Sequence, residues 1–120
     1  MFELSQVPNS TVRQQIQRVS TLLRANPAVI EVVLFGSCLS KDCPNDIDLV
    51  LVVADDDSLD QWLEFCNQQS APFPLDFKLT DDGDGFPSRV TTVTRGMIDD
   101  TYCGDRPSDF FAGAQTLWRR

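Results

Sequence analysis

The sequence predicts an α/β (α+β) domain in which a mixed β-sheet of three to five strands is flanked by helices. Two short apolar runs, rich in Val, Ile and Leu and bounded by Gly, Pro or Asn, are typical of buried strands. Segments with helical spacing of apolar residues precede and follow these runs. The 120 residues are 42% hydrophobic and 23% charged, as in an ordinary globular protein. A chain of this length can bury one core, so we expect a single domain over residues 1–120.

The first helix is predicted to begin at Asn9 or Ser10, either of which can cap it, and to run to about Asn26. Pro27 then prevents its continuation. The apolar residues of this segment recur at the spacing of one helix face: Val12, Ile16, Val19, Leu22 and Leu23.

The two apolar runs give a first strand over Val29–Phe35 and a second over Asp46–Ala54. Their connection, Gly36–Asn45, has only ten residues. A crossover between parallel strands usually takes a dozen residues or more. We therefore expect the first two strands to be antiparallel neighbours.

A second helix is predicted over residues 59–69, with Ser58 as its cap, and a third strand over Leu75–Leu79. The strand alternates strictly between apolar residues and the polar pair Asp76 and Lys78. Residues 54–73 are long enough for a crossover, so the second and third strands should be parallel. Parallel strands start at the same edge of a sheet, and this places Asp76 beside the start of the second strand.

The C-terminal part, residues 86–120, has a less regular pattern. Residues 90–102 favour a hairpin turning at Arg95-Gly96, with a helix as the competing interpretation. A last helix is predicted over Asp109–Leu117, capped by Ser108. The acidic segment 81–85 is interpreted as a turn, because Thr91 stands where an EF-hand loop requires Glu.

Charge and composition exclude several classes of function. The chain has no histidine, which excludes a histidine-based catalytic triad and histidine-ligated metals. Its formal net charge of -8 argues against nucleic-acid binding by the lone chain, since phosphate contacts need clustered Lys and Arg. Neither a signal peptide nor an apolar run of membrane-spanning length is present, so we expect a cytoplasmic protein without a membrane partner.

The four cysteines contain no Cys-x-x-Cys pair, so the usual zinc spacing is absent: Cys38, Cys43, Cys66 and Cys103. Buried, reduced thiols are the simplest interpretation. An activated thiol at Cys38 is the alternative, because this residue follows a Gly-Ser turn and could lie at a helix N-terminus.

The most informative feature is the pair Asp46 and Asp48. Residues i and i+2 of a strand share a face, so both carboxylates project together while Ile47 turns toward the core. Two adjacent carboxylates repel each other unless a cation or a proton lies between them. With Asp76 brought alongside by the parallel third strand, the three residues form a candidate site for a divalent metal.

Three segments occur in a characteristic order: Phe35-Gly36-Ser37, Asp46-Ile47-Asp48-Leu49 and Leu75-Asp76-Phe77. In this order the chain resembles the minimal nucleotidyltransferases of the DNA polymerase β superfamily, over about residues 10–80. The resemblance implies a nucleotidyltransferase-like fold, with 86–120 as an extension.

The resemblance also implies a chemistry. Gly36 and Ser37 would bind the triphosphate of ATP or another NTP, with Lys41 and Lys78 as further phosphate partners or ordinary surface lysines. The aspartates, Asp46, Asp48 and Asp76, would bind two Mg²⁺ ions and activate an acceptor hydroxyl. The acceptor would be a protein or a small molecule, brought by a partner protein or a second copy of the chain, as in toxin–antitoxin-like pairs.

Two other interpretations stay open. Many minimal members of the family carry Gly-Ser-x-x-x-Gly, and here Lys41 replaces the later glycine. The chain could therefore be a catalytically degenerate member that serves as a binding or regulatory module. It could also be a generic α/β domain in which the motifs occur by accident.

Overall fold

A computed structural model describes residues 3–54, 59–81 and 87–120. Two short 3-10 segments, Leu4–Gln6 and Ser37–Leu39, accompany the regular elements. The helices and strands are α1 (Ser10–Arg24), β1 (Val29–Phe35), β2 (Ile47–Val53), α2 (Leu59–Gln69), β3 (Leu75–Thr80), β4 (Arg89–Thr94), β5 (Met97–Tyr102), α3 (Pro107–Phe110) and β6 (Gln115–Arg119).

The strands form one mixed sheet in the order β5-β4-β3-β2-β1-β6. Strands β2 and β3 are parallel, and the other neighbouring pairs are antiparallel. The predicted α+β class, the antiparallel β1–β2 pair, the parallel β2–β3 pair and the β4–β5 hairpin are confirmed. The predicted strand number of three to five was too low, because the described residues form six strands.

The sixth strand arises where a helix was predicted. Helix α3 contains only Pro107–Phe110, and its N-cap is Arg106 rather than Ser108. Gly113 then adopts a left-handed φ of +78°, which ends the helical path after one turn. The following residues pair with β1 as β6. The predicted helix over Asp109–Leu117 is therefore wrong, because pairing with an open sheet edge outweighs the local helical pattern.

The core lies mainly between the sheet and the two long helices. Helix α1 begins as predicted, with the Asn9 side chain accepting hydrogen bonds from the N–H groups of Thr11 and Val12. One sheet face packs against α1 and α2 through alternate strand residues: Val32, Leu34, Leu49, Leu51, Phe77 and Leu79. The opposite face carries a smaller cluster that the C-terminal segment covers: Val33, Phe35, Val50, Val90, Cys103 and Phe111.

A buried glutamine fixes the loop that leads into β3. Gln15 of α1 donates hydrogen bonds from Nε2 to the carbonyls of Gln69 (2.9 Å) and Phe73 (2.7 Å). Its Oε1 accepts from the Phe73 N–H at 2.9 Å. Because a buried amide without partners would be costly, these bonds hold the loop in one position. The start of β3, and with it Asp76, is thereby tied to α1.

Two predictions concern residues outside the described ranges: the Ser58 cap and most of the turn at 81–85. Within the ranges that are described, no helix is both long and apolar enough to cross a membrane.

Candidate metal centre

Three aspartates converge on the sheet face opposite α1 and α2. Asp46 immediately precedes β2, Asp48 is its second residue, and Asp76 is the second residue of β3. Asp48 and Asp76 are direct partners in the parallel pair. One carboxylate oxygen from each of the three residues lies within 4.8 Å of the other two. The sequence-based prediction that these residues meet is confirmed.

The local sequence explains why the carboxylates point the same way. Ile47 lies between the two acidic residues and is fully buried in the helix-side core. Its N–H donates to the Pro74 carbonyl at 2.9 Å, which aligns the first residues of β2 and β3. With Ile47 anchored inward, the alternation of the strand directs Asp46 and Asp48 to the other face.

The cluster is electrostatically unfavourable when all its members are ionised. Burial raises the pKa of Asp48 to about 7, and repulsion from Asp46 and Asp76 adds to this shift. Burial, followed by repulsion from Asp76, also raises the pKa of Asp46. A proton or a metal ion relieves this strain, and near neutral pH the two compete for the same oxygens.

Lys78 lies inside this cluster and not at the surface. Its Nζ is 2.9 Å from Asp76 Oδ1, and its side chain is only 9% exposed. The same ammonium donates to Thr92 Oγ1 at 2.9 Å. Besides its contact with Lys78, the buried Asp76 Oδ1 accepts no hydrogen bond from the described residues. Lys78 therefore supplies the countercharge to Asp76 within the cluster.

Gly36 forms the wall of the cluster on the β1 side. Its φ is +83°, and a Cβ atom at this position would lie 2.3 Å from Asp48 Oδ2. A larger residue would therefore displace the carboxylate as well as strain the backbone. The glycine of the predicted phosphate-binding turn is thus in direct contact range of a predicted metal ligand.

The other predicted site residues have different surroundings. Ser37 opens the 3-10 segment beside Gly36 and is half-buried. Lys41 follows in the connection, where it is exposed and its N–H donates to the Ser37 carbonyl at 2.9 Å. Cys38 is buried, and burial raises the pKa of its thiol to about 11. The alternative of an activated Cys38 is therefore wrong, because a low pKa is what a reactive thiol needs.

Sequence reasoning missed Thr92. This residue lies on β4, where it is paired with Lys78 and buried, and its hydroxyl also shares a hydrogen bond with Thr101. The hairpin that contains Thr92 was predicted, but not its pairing with β3. Only the β3–β4 register identifies Thr92 as the residue that holds the Lys78 ammonium.

The donor set of the cluster fits a hard divalent cation. Mg²⁺ and Ca²⁺ prefer carboxylate oxygens, and the oxygens around one Mg²⁺ lie roughly 3–4 Å apart. The three aspartate oxygens lie within 4.8 Å of one another, which is close to that range.

Comparison with known proteins identifies no relative: the chain matches no family model, no curated protein and no solved structure.

Proposed function

We propose that this chain is a Mg²⁺-dependent nucleotidyltransferase that moves an NMP group from ATP or another NTP to an acceptor hydroxyl. The observation that carries the proposal is the convergence of Asp46, Asp48 and Asp76, whose carboxylate oxygens lie within 4.8 Å of one another. Three carboxylates in one cluster reduce stability unless a cation is bound, so their presence is best explained by a function that needs them.

The three aspartates would hold two Mg²⁺ ions together with the nucleotide. Bound Mg²⁺ would supply charge neutralisation of the triphosphate and stabilisation of the attacking and leaving oxygens. Asp76 is the residue best situated to accept the proton of the acceptor hydroxyl, because it lies on the far side of Asp48 from the Gly36 turn. Asp46 and Asp48 would orient the nucleotide side of the centre.

The charge of the cluster supports a centre that binds nucleotide and metal together. Three ionised carboxylates and the Lys78 ammonium carry a net charge of -2, which one divalent cation neutralises. A second divalent cation would leave an excess of positive charge, which a triphosphate would balance. We therefore expect one Mg²⁺ to bind without nucleotide and the second to bind only with it.

The Gly36-Ser37 turn would hold the phosphates next to this centre. Because Gly36 lies against Asp48, a phosphate at the turn would be close to a metal held by Asp48. The Ser37 hydroxyl and nearby N–H groups are donors suited to phosphate oxygens. Lys41, exposed in the connection, is the lysine available for phosphate, whereas Lys78 is engaged with Asp76 and Thr92.

The acceptor would be a protein or a cationic small molecule. The net charge of -8 favours a basic or cationic partner over RNA. The partner could be a second protein, as in a toxin–antitoxin-like pair, or a second copy of this chain that supplies the acceptor hydroxyl.

A second candidate function is a catalytically degenerate binding module. One specific observation favours it: Lys78 already provides a cation to Asp76, which reduces the need for metal there. Lys41 in place of the family's later glycine points the same way. Such a module would bind nucleotide or a partner without transferring a nucleotidyl group.

The decisive experiment is isothermal titration of Mg²⁺, and then of ATP in saturating Mg²⁺, into the wild type and Asp46→Asn/Asp48→Asn. We expect Mg²⁺-dependent ATP binding in the wild type and none in the double variant. The matched control is Asp99→Asn/Asp100→Asn, which removes the same charge from two exposed residues of β5 and should bind like the wild type.

Turnover separates the two candidate functions. Incubation with labelled NTPs and candidate acceptors should release pyrophosphate and label an acceptor if the chain is a transferase. ATP binding without transfer to any acceptor or to a second copy would favour the binding module. Absence of both Mg²⁺ and ATP binding in the wild type would refute the nucleotidyltransferase proposal.

A further inference from the structure

An aromatic cluster lies on the same sheet face as the aspartates, next to Asp48 in the sheet register. The rings of Phe35, Phe110 and Phe111 contact one another, with centroid separations of 5.0 Å for Phe35–Phe111 and 4.7 Å for Phe110–Phe111. Phe110 also lies 6.3 Å from Phe35. Phe35 and Phe111 are 6% and 1% exposed, whereas Phe110 is 41% exposed. The cluster thus presents one accessible ring supported by two buried rings.

The sheet register places this cluster in the same row as the metal centre. Phe35 is the direct partner of Asp48, and Asp48 is the direct partner of Asp76. Directly paired residues of a sheet share a face and lie about 5 Å apart. The row continues to Thr94 on β4. Phe110, whose ring is tilted against that of Phe35, therefore contacts the residue at the β1 end of a row whose middle contains the carboxylates.

We propose that Phe110 is the platform on which the base of the nucleotide stacks, an inference that rests on the proposed nucleotidyltransferase function. Bases stack on accessible aromatic rings, and a ring held rigidly by its neighbours loses little conformational entropy on binding. Both conditions are met here, because α3 fixes Phe110 against Phe35 and Phe111. A stacked nucleobase would cover the exposed part of the Phe110 ring.

The position of the ring favours the nucleotide over the acceptor as its occupant. Phe35 immediately precedes Gly36, so the platform lies on the side of the proposed phosphate turn. Asp76 lies on β3, one strand further from Phe35 than Asp48 does. A nucleotide could thus extend from the platform past the Gly36 turn to the carboxylates, while the acceptor approaches from the β3–β4 side.

The platform also has a consequence for nucleotide choice. Every base has an aromatic face, so stacking on a phenylalanine discriminates weakly among bases. We therefore expect Phe110 to strengthen binding of ATP and GTP to a similar extent. A strong preference for one base would have to come from polar groups outside this ring.

The test compares a ligand that has a base with one that lacks it. Mg²⁺-ATP and Mg²⁺-tripolyphosphate are titrated into the wild type, Phe110→Ala and Phe110→Trp. We expect Phe110→Ala to weaken ATP binding about tenfold and to leave tripolyphosphate binding unchanged, as removal of one stacked base contact predicts. Phe110→Trp should bind ATP at least as tightly as the wild type. Tyr102→Ala, which removes another exposed ring that is 52% exposed on β5, is the matched control and should change neither affinity.

The outcomes distinguish failure of this inference from failure of the proposed function. Unchanged ATP binding by Phe110→Ala, or equal losses for ATP and tripolyphosphate, would overturn the platform and leave the nucleotidyltransferase proposal standing. Failure of the wild type to bind either ligand would overturn both. Urea unfolding of each variant verifies that Phe110→Ala folds, and Phe110→Leu, which keeps an apolar contact with Phe111, replaces it if it does not.

Discussion

Gly36 and Gly96 have the same positive φ and different surroundings. Both have a φ of +83°, but a Cβ added at Gly36 would lie 2.3 Å from Asp48 Oδ2, whereas a Cβ added at Gly96 would meet no atom of the described residues within 4 Å. A side chain at either position therefore meets an unfavourable φ, but only at Gly36 does it also contact the metal centre.

Gly36→Ala is expected to destabilise the protein more than Gly96→Ala does. The positive φ alone costs about 1–3 kcal/mol for a residue with a Cβ, and the ψ of -162° at Gly36 gives a backbone conformation that is nearly confined to glycine. Displacement of Asp48 adds to this only at Gly36, and it should also weaken Mg²⁺ binding. Urea unfolding and Mg²⁺ titration of both variants measure the two effects. Equal destabilisation and unchanged Mg²⁺ affinity would contradict the contact between Gly36 and Asp48.

The raised pKa of Asp48 makes the stability of the metal-free protein depend on pH. The pKa is about 7 in the folded protein, against an ordinary value near 3.8. Between these values the folded state holds a proton that the unfolded chain has released. The free energy of unfolding should therefore fall as pH rises from about 4 to about 7 in the presence of EDTA. Mg²⁺ should oppose this fall, because it binds the ionised carboxylates.

The Asp48→Asn variant isolates the contribution of Asp48 to the pH dependence of stability. At pH 8 without metal, the variant should be more stable than the wild type by on the order of 1 kcal/mol, the equivalent of less than one unit of pKa. The free energy of unfolding of the variant should also fall less as pH rises. Asp46, whose pKa is raised too, accounts for the decrease that remains. Chemical unfolding over a pH series tests both statements. A variant that is less stable than the wild type at pH 8 would be inconsistent with repulsion in the cluster.

Lys78→Met should strengthen Mg²⁺ binding in the absence of nucleotide. The substitution keeps most of the buried side-chain volume and removes the ammonium that lies 2.9 Å from Asp76. Two unit charges about 6 Å apart interact by roughly 3 kcal/mol at an effective dielectric constant of 20, so a tenfold gain in affinity is a conservative expectation. The metal-free variant should be less stable, because three carboxylates then lack a countercharge.

The control for Lys78→Met is Lys41→Met, which removes the same charge from an exposed position. Its Mg²⁺ affinity should stay near that of the wild type, while its ATP affinity should fall if Lys41 binds phosphate. If Lys78→Met loses ATP affinity without any gain in Mg²⁺ affinity, Lys78 acts as a phosphate ligand, as the sequence had suggested.

Among the elements, β6 is the strand that completes the sheet at the β1 edge. It pairs with β1 and brings Trp118, which is 8% exposed, onto the helix-side core. The indole Nε1 donates to Ser20 Oγ of α1 at 3.0 Å. The guanidinium groups of Arg24 and Arg120 lie 5.6 and 5.2 Å from the ring centroid. The last strand thus joins the sheet edge to the first long helix.

Trp118→Ala should lower the free energy of unfolding by about 3 kcal/mol, the usual range for a large buried aromatic residue. Trp118→Phe keeps most of the apolar contact and loses the hydrogen bond to Ser20, so it should cost about 1 kcal/mol. Urea unfolding measures both changes. A loss below about 1 kcal/mol for the alanine variant would mean that β6 contributes little to the core.

At the scale of the whole molecule, the sequence predicted the central part of the fold well. Alternation in β3 and the apolar runs of β1 and β2 are strong signals, because one side of each strand must be buried. Connection lengths were enough to assign antiparallel β1–β2 and parallel β2–β3 pairing. The parallel pairing of β2 and β3 places Asp76 beside Asp48. The candidate site could therefore be predicted from this pairing alone.

Strand β6 and the burial of Lys78 depend on contacts between distant parts of the chain, which a local sequence pattern does not indicate. Residues 109–117 contain enough apolar residues to suggest a helix, and the signal against it was Gly113, in the middle of the predicted segment. Strand β6 forms because β1 offers an unpaired edge, which is a property of the assembled sheet. The burial of Lys78 likewise depends on Thr92 from β4, whose register with β3 could not be read from the sequence.

The strand order has a consequence for the kinetics of folding. The β4–β5 hairpin and the β2–α2–β3 unit join residues that are near in sequence, whereas the β1–β6 pair joins Glu31 to Arg119. Closing so long a loop costs entropy before any contact is gained, so this pair should form late. Trp118→Ala should then accelerate unfolding and leave the refolding rate nearly unchanged in stopped-flow measurements. Before β6 docks, the edge of β1 is open to strands of other molecules, and aggregation during refolding should therefore be most sensitive to substitutions in β6.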